Sequence, residues 1–177
     1  MPERRSPSSG RGESWFEALF CAEYQRLCTC AIRYVGRAAV AEELVQDAFL
    51  QLWSHRDELA EEAVRTYLYR SVRNACLDQL KREKVRRNVT STPNLDDAPG
   101  LDSPETDYRV QEVDGAVRKA IDALPDRQRE IFILSRDAGL SYKEIAGVLS
   151  ISVKTVETQM GRALKFLREH LRYLLIS

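Results

Sequence analysis

Apolar residues recur at spacings of three and four along most of the chain, the pattern of amphipathic helix. The first stripe holds Phe16, Leu19, Phe20, Tyr24, Leu27, Ala31, Tyr34 and Val35. A capping box at Ser14-Trp15-Phe16-Glu17 is expected to open it, and Gly36 to stop it. A second stripe, over about Ala39 to Trp53, turns Val40, Leu44, Val45, Ala48, Phe49, Leu52 and Trp53 inward. A third, over about Ala63 to Arg86, buries Val64, Tyr67, Leu68, Val72, Ala75, Cys76 and Leu80. Three helices with one apolar stripe each can cover all three only by packing as a bundle.

The pattern then stops. Pro93, Pro99, Gly100 and Pro104 interrupt a run of Asp, Ser and Thr that reads as a flexible acidic linker. Helix resumes near Tyr108 with Val113, Val117, Ala120, Ile121 and Leu124, turns at Pro125, and continues through Ile131, Phe132 and Leu134 to Gly139. Next comes a second capping box, Ser141-Tyr142-Lys143-Glu144, followed by Ile145, Ala146 and Leu149. Ser150-Ile151-Ser152 breaks that helix, and Ser152 is placed to cap another beginning at Val153. Its apolar stripe reads Val153, Val156, Met160, Ala163, Leu164 and Leu167. Two short helices joined by so tight a corner fit a helix-turn-helix, whose second helix enters the major groove. Ser150 stands where such a turn most often has Gly, because the backbone there is left-handed; a Ser in that conformation costs about 1 kcal/mol. The expected fold is all-α: a disordered N-terminus over 1–12, a bundle over 13–87, a linker over 88–107 and a helix-turn-helix bundle over 108–177.

Charge sharpens this division. The 177 residues sum to a net charge of zero, which by itself does not suggest a nucleic-acid partner. The distribution does. Lys81 to Arg87 holds five cations and one anion, Asn88 to Asp107 five acids and no base, and Val113 to Ser177 carries 11 bases against 8 acids. Cys21, Cys28, Cys30 and Cys76 lack zinc or dithiol spacing and read as structural filler, so no metal is expected. The two histidines, His55 and His170, sit in no acid/base cluster, and no phosphate loop or nucleophile arrangement is visible; neither an enzyme nor a cofactor is expected. The longest apolar runs are too short for a membrane span or a signal peptide, so the chain is expected in the cytoplasm with reduced thiols.

Three polar faces carry the candidate chemistry. On the third helix, Tyr69, Arg70, Arg73, Asn74, Lys81 and Arg82 combine cations, an aromatic ring and an amide, which suits an opened nucleic-acid strand. A solvated face with ion pairs such as Arg70–Asp78 is the plainer reading. On the second helix, Glu42, Glu43, Gln46, Asp47 and Gln51 form an acidic strip that repels DNA and suits a basic protein surface, or simply faces solvent. The last helix presents Lys154, Thr155, Glu157, Thr158, Gln159 and Arg162, long enough to reach base edges; an ordinary helical hairpin is the alternative there.

Set in order, the motifs resemble a known family. Glu42-Glu43-Leu44-Val45-Gln46-Asp47-Ala48-Phe49-Leu50-Gln51-Leu52-Trp53 is similar to the polymerase-binding segment of bacterial sigma factors, and Tyr67 to Asn74 to their promoter-melting, −10-reading helix. Leu124-Pro125-Asp126-Arg127-Gln128-Arg129-Glu130 with Gly139 to Ala146 resembles their −35-reading domain. Only sigma domains two and four are represented, as in the extracytoplasmic-function class. Ser150 for Gly, and Tyr67 where Trp is commoner, depart from the pattern. The resemblance implies that Glu43, Gln46, Asp47 and Gln51 bind the β′ clamp helices of core RNA polymerase, whose β flap is a second contact. It implies that Tyr69, Arg70, Arg73, Asn74, Lys81 and Arg82 hold the opened −10 strand, with Ser54 to Glu62 helping to capture a flipped base. Tyr142, Lys154 and Thr155 would touch −35 phosphates, and Glu157, Thr158, Gly161 and Arg162 would lie nearest the bases. An anti-sigma factor is a further partner the family allows. The rival readings are a stand-alone repressor or activator built on the same helix-turn-helix, and a helical adaptor or metal sensor built on the cysteines.

Overall fold

The computed structural model describes residues 11–89 and 108–172, with side chains over 11–87 and 115–172. The described residues form seven helices: α1 (Glu13–Val35), α2 (Ala38–His55), α3 (Glu61–Val89), α4 (Tyr108–Asp122), α5 (Asp126–Arg136), α6 (Tyr142–Leu149) and α7 (Val153–His170). The chain divides into two units, Met1–Asp97 and Ala98–Ser177. Most of the stretch read as linker lies outside the described residues, although α3 runs into its first two positions, Asn88 and Val89.

In the first unit α1, α2 and α3 pack as a three-helix bundle. Leu27, Ala31, Val45, Leu52 and Leu68 are fully buried at its centre, and Phe16, Phe20 and Phe49 meet in edge-on and tilted contacts 4.9–6.4 Å apart. Such rings supply much of the apolar area on which a small bundle depends. Gly36 takes φ 72° and returns its N–H to the Ile32 carbonyl, the left-handed stop expected there. The start of α1 differs from expectation. The helix begins at Glu13 behind Gly12, which makes no side-chain cap, and Ser14 lies inside the first turn. Tertiary bonds fix this end: the indole N–H of Trp15 donates to Glu61, and Arg11, two residues before the helix, is tied to the α2–α3 connection. Of the N-terminal stretch expected to be disordered, residues 1–10 lie outside the described residues, while Arg11 and Gly12 are held in place and the Arg11 side chain is only 17% exposed.

α3 also departs from the reading in one respect that matters. Tyr69 does not face outward: it is 2% exposed, and its hydroxyl donates to Glu23 Oε2 at 2.9 Å. Glu23 accepts in addition from Arg65 Nε at 2.8 Å, so a buried carboxylate is held by two donors. Burial first, then the Glu23 carboxylate, pushes the Tyr69 phenol well above its usual range and keeps it a neutral donor. The cause is the width of the stripe. α3 packs against both α1 and α2, so Leu68 and Tyr69, adjacent in sequence, are both core.

In the second unit α5, α6 and α7 surround Ile131, Leu134, Ile145, Val156 and Ala163, and Ala120 of α4 with Leu124, just past its end, packs against Ala163 and Leu167. Pro125 precedes α5 and marks the corner, with Arg129 bonded to Asp126 and to the Asp122 carbonyl. On α7 the buried stripe is Val156, Met160, Ala163 and Leu167; Val153 and Leu164, read as packed, are 39% and 42% exposed. They lie at the edges of the stripe, where spacing alone does not separate a packed position from a flanking one.

Candidate nucleic-acid and partner interfaces

The helix-turn-helix follows from local chemistry. Ser141 accepts from the Glu144 N–H at 3.3 Å while the Glu144 carboxylate accepts from the Ser141 N–H at 2.7 Å, the reciprocal box that starts α6. Ser150 ends it at φ 53°, ψ 47°, the only non-glycine positive φ among the described residues. Ile151 N–H then bonds back to Ala146 O at 3.0 Å, and Ser152 caps α7 through Thr155 N–H at 3.1 Å. Ala146, 7% exposed, lets the two helices meet closely. Because Gly carries no penalty at a left-handed residue, Ser150→Gly is expected to stabilise this unit by about 0.5–1 kcal/mol. A urea titration reports it as a raised midpoint with unchanged slope; a lowered midpoint contradicts the account.

This corner presents Tyr142, Lys154, Thr155, Glu157, Thr158, Gly161 and Arg162, all exposed. The Thr158 hydroxyl donates to Lys154 O at 2.9 Å, so outward it offers acceptor lone pairs and a methyl group. Thr155 shares its hydroxyl with Ser152 at 2.8 Å. Gly161 is informative: a Cβ built there meets nothing within 4 Å. Packing among the described residues gives no reason for a mid-helix glycine that costs about 0.5–1 kcal/mol against Ala.

On α3, Arg70, Asn74, Lys81 and Arg82 are exposed and Arg73 half-buried, along the outer face and toward the basic end of the helix. Lys81 pairs with Asp78 at 3.1 Å, but both side chains stay more than half exposed. A pair so open is worth little and is readily traded for a phosphate. Tyr69, the sixth residue assigned to this face, is in the core and has no ring to offer a base.

On α2, Glu43, Gln46, Asp47 and Gln51 share the solvent side, opposite Ala41, Val45, Ala48, Phe49 and Leu52. Gln46 Nε2 bonds Tyr24 Oη at 3.4 Å. Leu50, which sequence reasoning passed over, lies within this strip and is 65% exposed. It breaks the period of the buried stripe, and that was the available signal.

The remaining chemistry is sparse. Cys28, Cys30 and Cys76 are buried and Cys21 is exposed; burial raises the Cys28 thiol and pushes Cys76 up to about 12, which leaves both unreactive. Among the described residues no His, Cys, Asp and Glu gather to hold a metal, and no helix is long and apolar enough to cross a membrane.

The three faces coincide with the two family regions the sequence matches. Sigma-70 region 2 matches residues 19–86, which contain the acidic and cationic faces, and Sigma-70 region 4 matches residues 114–167, which contain the helix-turn-helix. The chain belongs to the sigma-70 family, in its extracytoplasmic-function class. It is 28% identical over 159 residues to the ECF RNA polymerase sigma factor SigE of Mycolicibacterium smegmatis, covering 89% of this chain and 62% of that protein. Against the ECF RNA polymerase sigma factor SigW of Bacillus subtilis it is 29% identical over 150 residues, 79% of this chain and 80% of that one. The fold is similar to that of the sigma factor RpoE of Bartonella quintana, solved with the anti-sigma factor NepR: TM-score 0.70 at 22% identity, covering 89% of this chain and 96% of that chain. Region 2 precedes region 4 along the chain, and a stand-alone repressor built on the helix-turn-helix does not require the former.

Proposed function

We propose that this chain is a sigma factor that binds core RNA polymerase through α2, opens and reads the −10 element with α3, and reads the −35 element with α7. The observation that carries the reading is the separation of charge in the first unit. An acidic face with an exposed Leu50 lies on α2, and a cationic face with an exposed Asn74 lies on α3. An acidic strip repels DNA and suits a basic protein surface, while the cations neutralise phosphate and the amide hydrogen-bonds a base edge. The domain division follows the same reading: 13–87 acts on polymerase and the −10 element, 88–107 tethers, and 108–177 acts at −35. Such a factor has no catalytic site of its own, works in the cytoplasm, and is open to restraint by an anti-sigma factor.

The alternative, a stand-alone regulator, predicts tight binding of a palindromic site by the protein alone. A mobility-shift assay separates the two. The sigma reading expects a promoter complex that forms with core enzyme and not without it; equal binding by the chain alone overturns it.

On α7 we assign Arg162 to a guanine of the −35 element and Lys154 and Thr155, at the start of the helix, to phosphates. Guanidinium meets O6 and N7 with two parallel hydrogen bonds, and Gly161 beside it leaves room for a close approach of the backbone. Arg162→Ala is expected to cost ~1–3 kcal/mol and to relax preference at one base pair, whereas Lys154→Ala weakens all sequences alike. A −35 substitution series checks both. Uniform loss with Arg162→Ala makes it a phosphate contact instead.

A further inference from the structure

The α2–α3 connection, Arg56 to Ala60, contains neither Gly nor Pro; local bonds run from Glu58 N–H to His55 O at 3.0 Å and from Arg56 Nη1 to the Trp53 carbonyl at 2.5 Å. It is also held from outside, by a residue just before α1. Arg11 Nη1 donates to the carbonyls of Arg56 and of Leu59, the latter at 2.8 Å, and Arg11 Nη2 pairs with Glu61 at 2.8 Å. Its backbone N–H reaches Asp57 at 3.2 Å, and its own carbonyl accepts from Arg56 Nε at 2.9 Å. The two arginines are thus reciprocally bonded. Each also lies over an indole, Arg11 over Trp15 at 4.8 Å and Arg56 over Trp53 at 3.9 Å.

We propose that Arg11 is a positioning residue for promoter opening, holding the Arg56–Glu61 connection in the shape that receives a base of the opened −10 strand. This rests on the sigma reading of that connection. A loop whose outward carbonyls lack such a partner exchanges among many shapes, and ordering it on contact with DNA costs binding energy. One planar guanidinium that spans two carbonyls and a carboxylate removes that cost in advance. Arg11 does this while mostly covered, with 17% of its side chain exposed, so it acts through the connection and not as a further phosphate contact.

The test uses the full chain in Arg11→Ala and Arg11→Lys forms beside a connection variant, His55→Ala/Glu58→Ala, whose side chains are exposed and do not bond Arg11. Amide hydrogen exchange over 54–62 is expected to speed up about tenfold in Arg11→Ala, with protection in the cores of α2 and α3 unchanged. With core enzyme, transcription from a −10 substitution series is expected to show a severalfold flatter base preference. Unchanged exchange over 54–62 overturns the proposal. Preference altered by the connection variant but not by Arg11→Ala overturns the proposal alone, leaving the reading of the connection intact. Preference altered by neither sinks the reading of the connection, and the proposal with it. Full recovery of preference in Arg11→Lys while exchange stays fast identifies a phosphate contact in place of a positioning role, and also overturns it.

Discussion

Asp47→Lys is expected to remove most of the affinity for core RNA polymerase while the bundle stays folded. Asp47 is exposed on α2, one turn from Glu43 and beside Gln46 and Leu50. The residues that hold α2 in place, Val45, Phe49 and Leu52 among them, point the other way. Reversing a charge against a basic partner replaces an attraction by a like-charge contact, which costs about 2 kcal/mol or more. That corresponds to roughly thirtyfold in dissociation constant. Leu50→Ala is the matching apolar test: it removes little from the fold, because Leu50 is 65% exposed, and should weaken the same complex. Fluorescence anisotropy with labelled core enzyme, with circular dichroism as the fold control, reports both. Wild-type affinity in a folded Asp47→Lys variant contradicts the placement of the polymerase contact.

The second large effect is expected on α3. Asn74→Ala should reduce transcription from a duplex promoter by about tenfold, the order of a missing pair of base-edge hydrogen bonds, and much less from a template already mismatched at −10. The asymmetry is the informative part, because unstacking a base costs a few kcal/mol that only the duplex demands. Replacing Lys81 and Arg82 by Ala should act differently. A side chain that no longer neutralises a phosphate no longer releases its counterions, so binding weakens on every template and its salt dependence flattens. Equal losses on both templates with Asn74→Ala would mean that the residue does not read the opened strand.

What the sequence disclosed and what it hid divide by range. The Ser141–Glu144 box, the Ser152 cap and the left-handed Ser150 are bonds within five residues, and each was legible from residue type and spacing. So were the helices themselves, to within two or three residues at most ends. Hidden features rest on contacts far apart in sequence. Glu23, buried at 7% exposure, is tolerated because Arg65 and Tyr69 meet it from 42 and 46 residues away. The same pairing takes Tyr69 out of the surface where its ring suggested base stacking. Arg11, in a stretch with nothing to bury, becomes ordered through partners more than 40 residues on. The capping box read at Ser14 did not form because those bonds, and Trp15 on Glu61, set where α1 begins. Helix period located the stripes but could not give their width: α3 packs against both α1 and α2, so Tyr69 joins the core, while Leu164 lies at the edge of the α7 stripe and stays 42% exposed.

The most direct measurement is run-off transcription with purified core enzyme and a library of promoter fragments varied at −10 and −35. The account predicts transcripts that start at a fixed distance from one preferred pair of elements, that require this chain, and that disappear with Asp47→Lys. Promoter-specific DNA binding by the chain alone, with no chain-dependent transcript from any fragment, would contradict it.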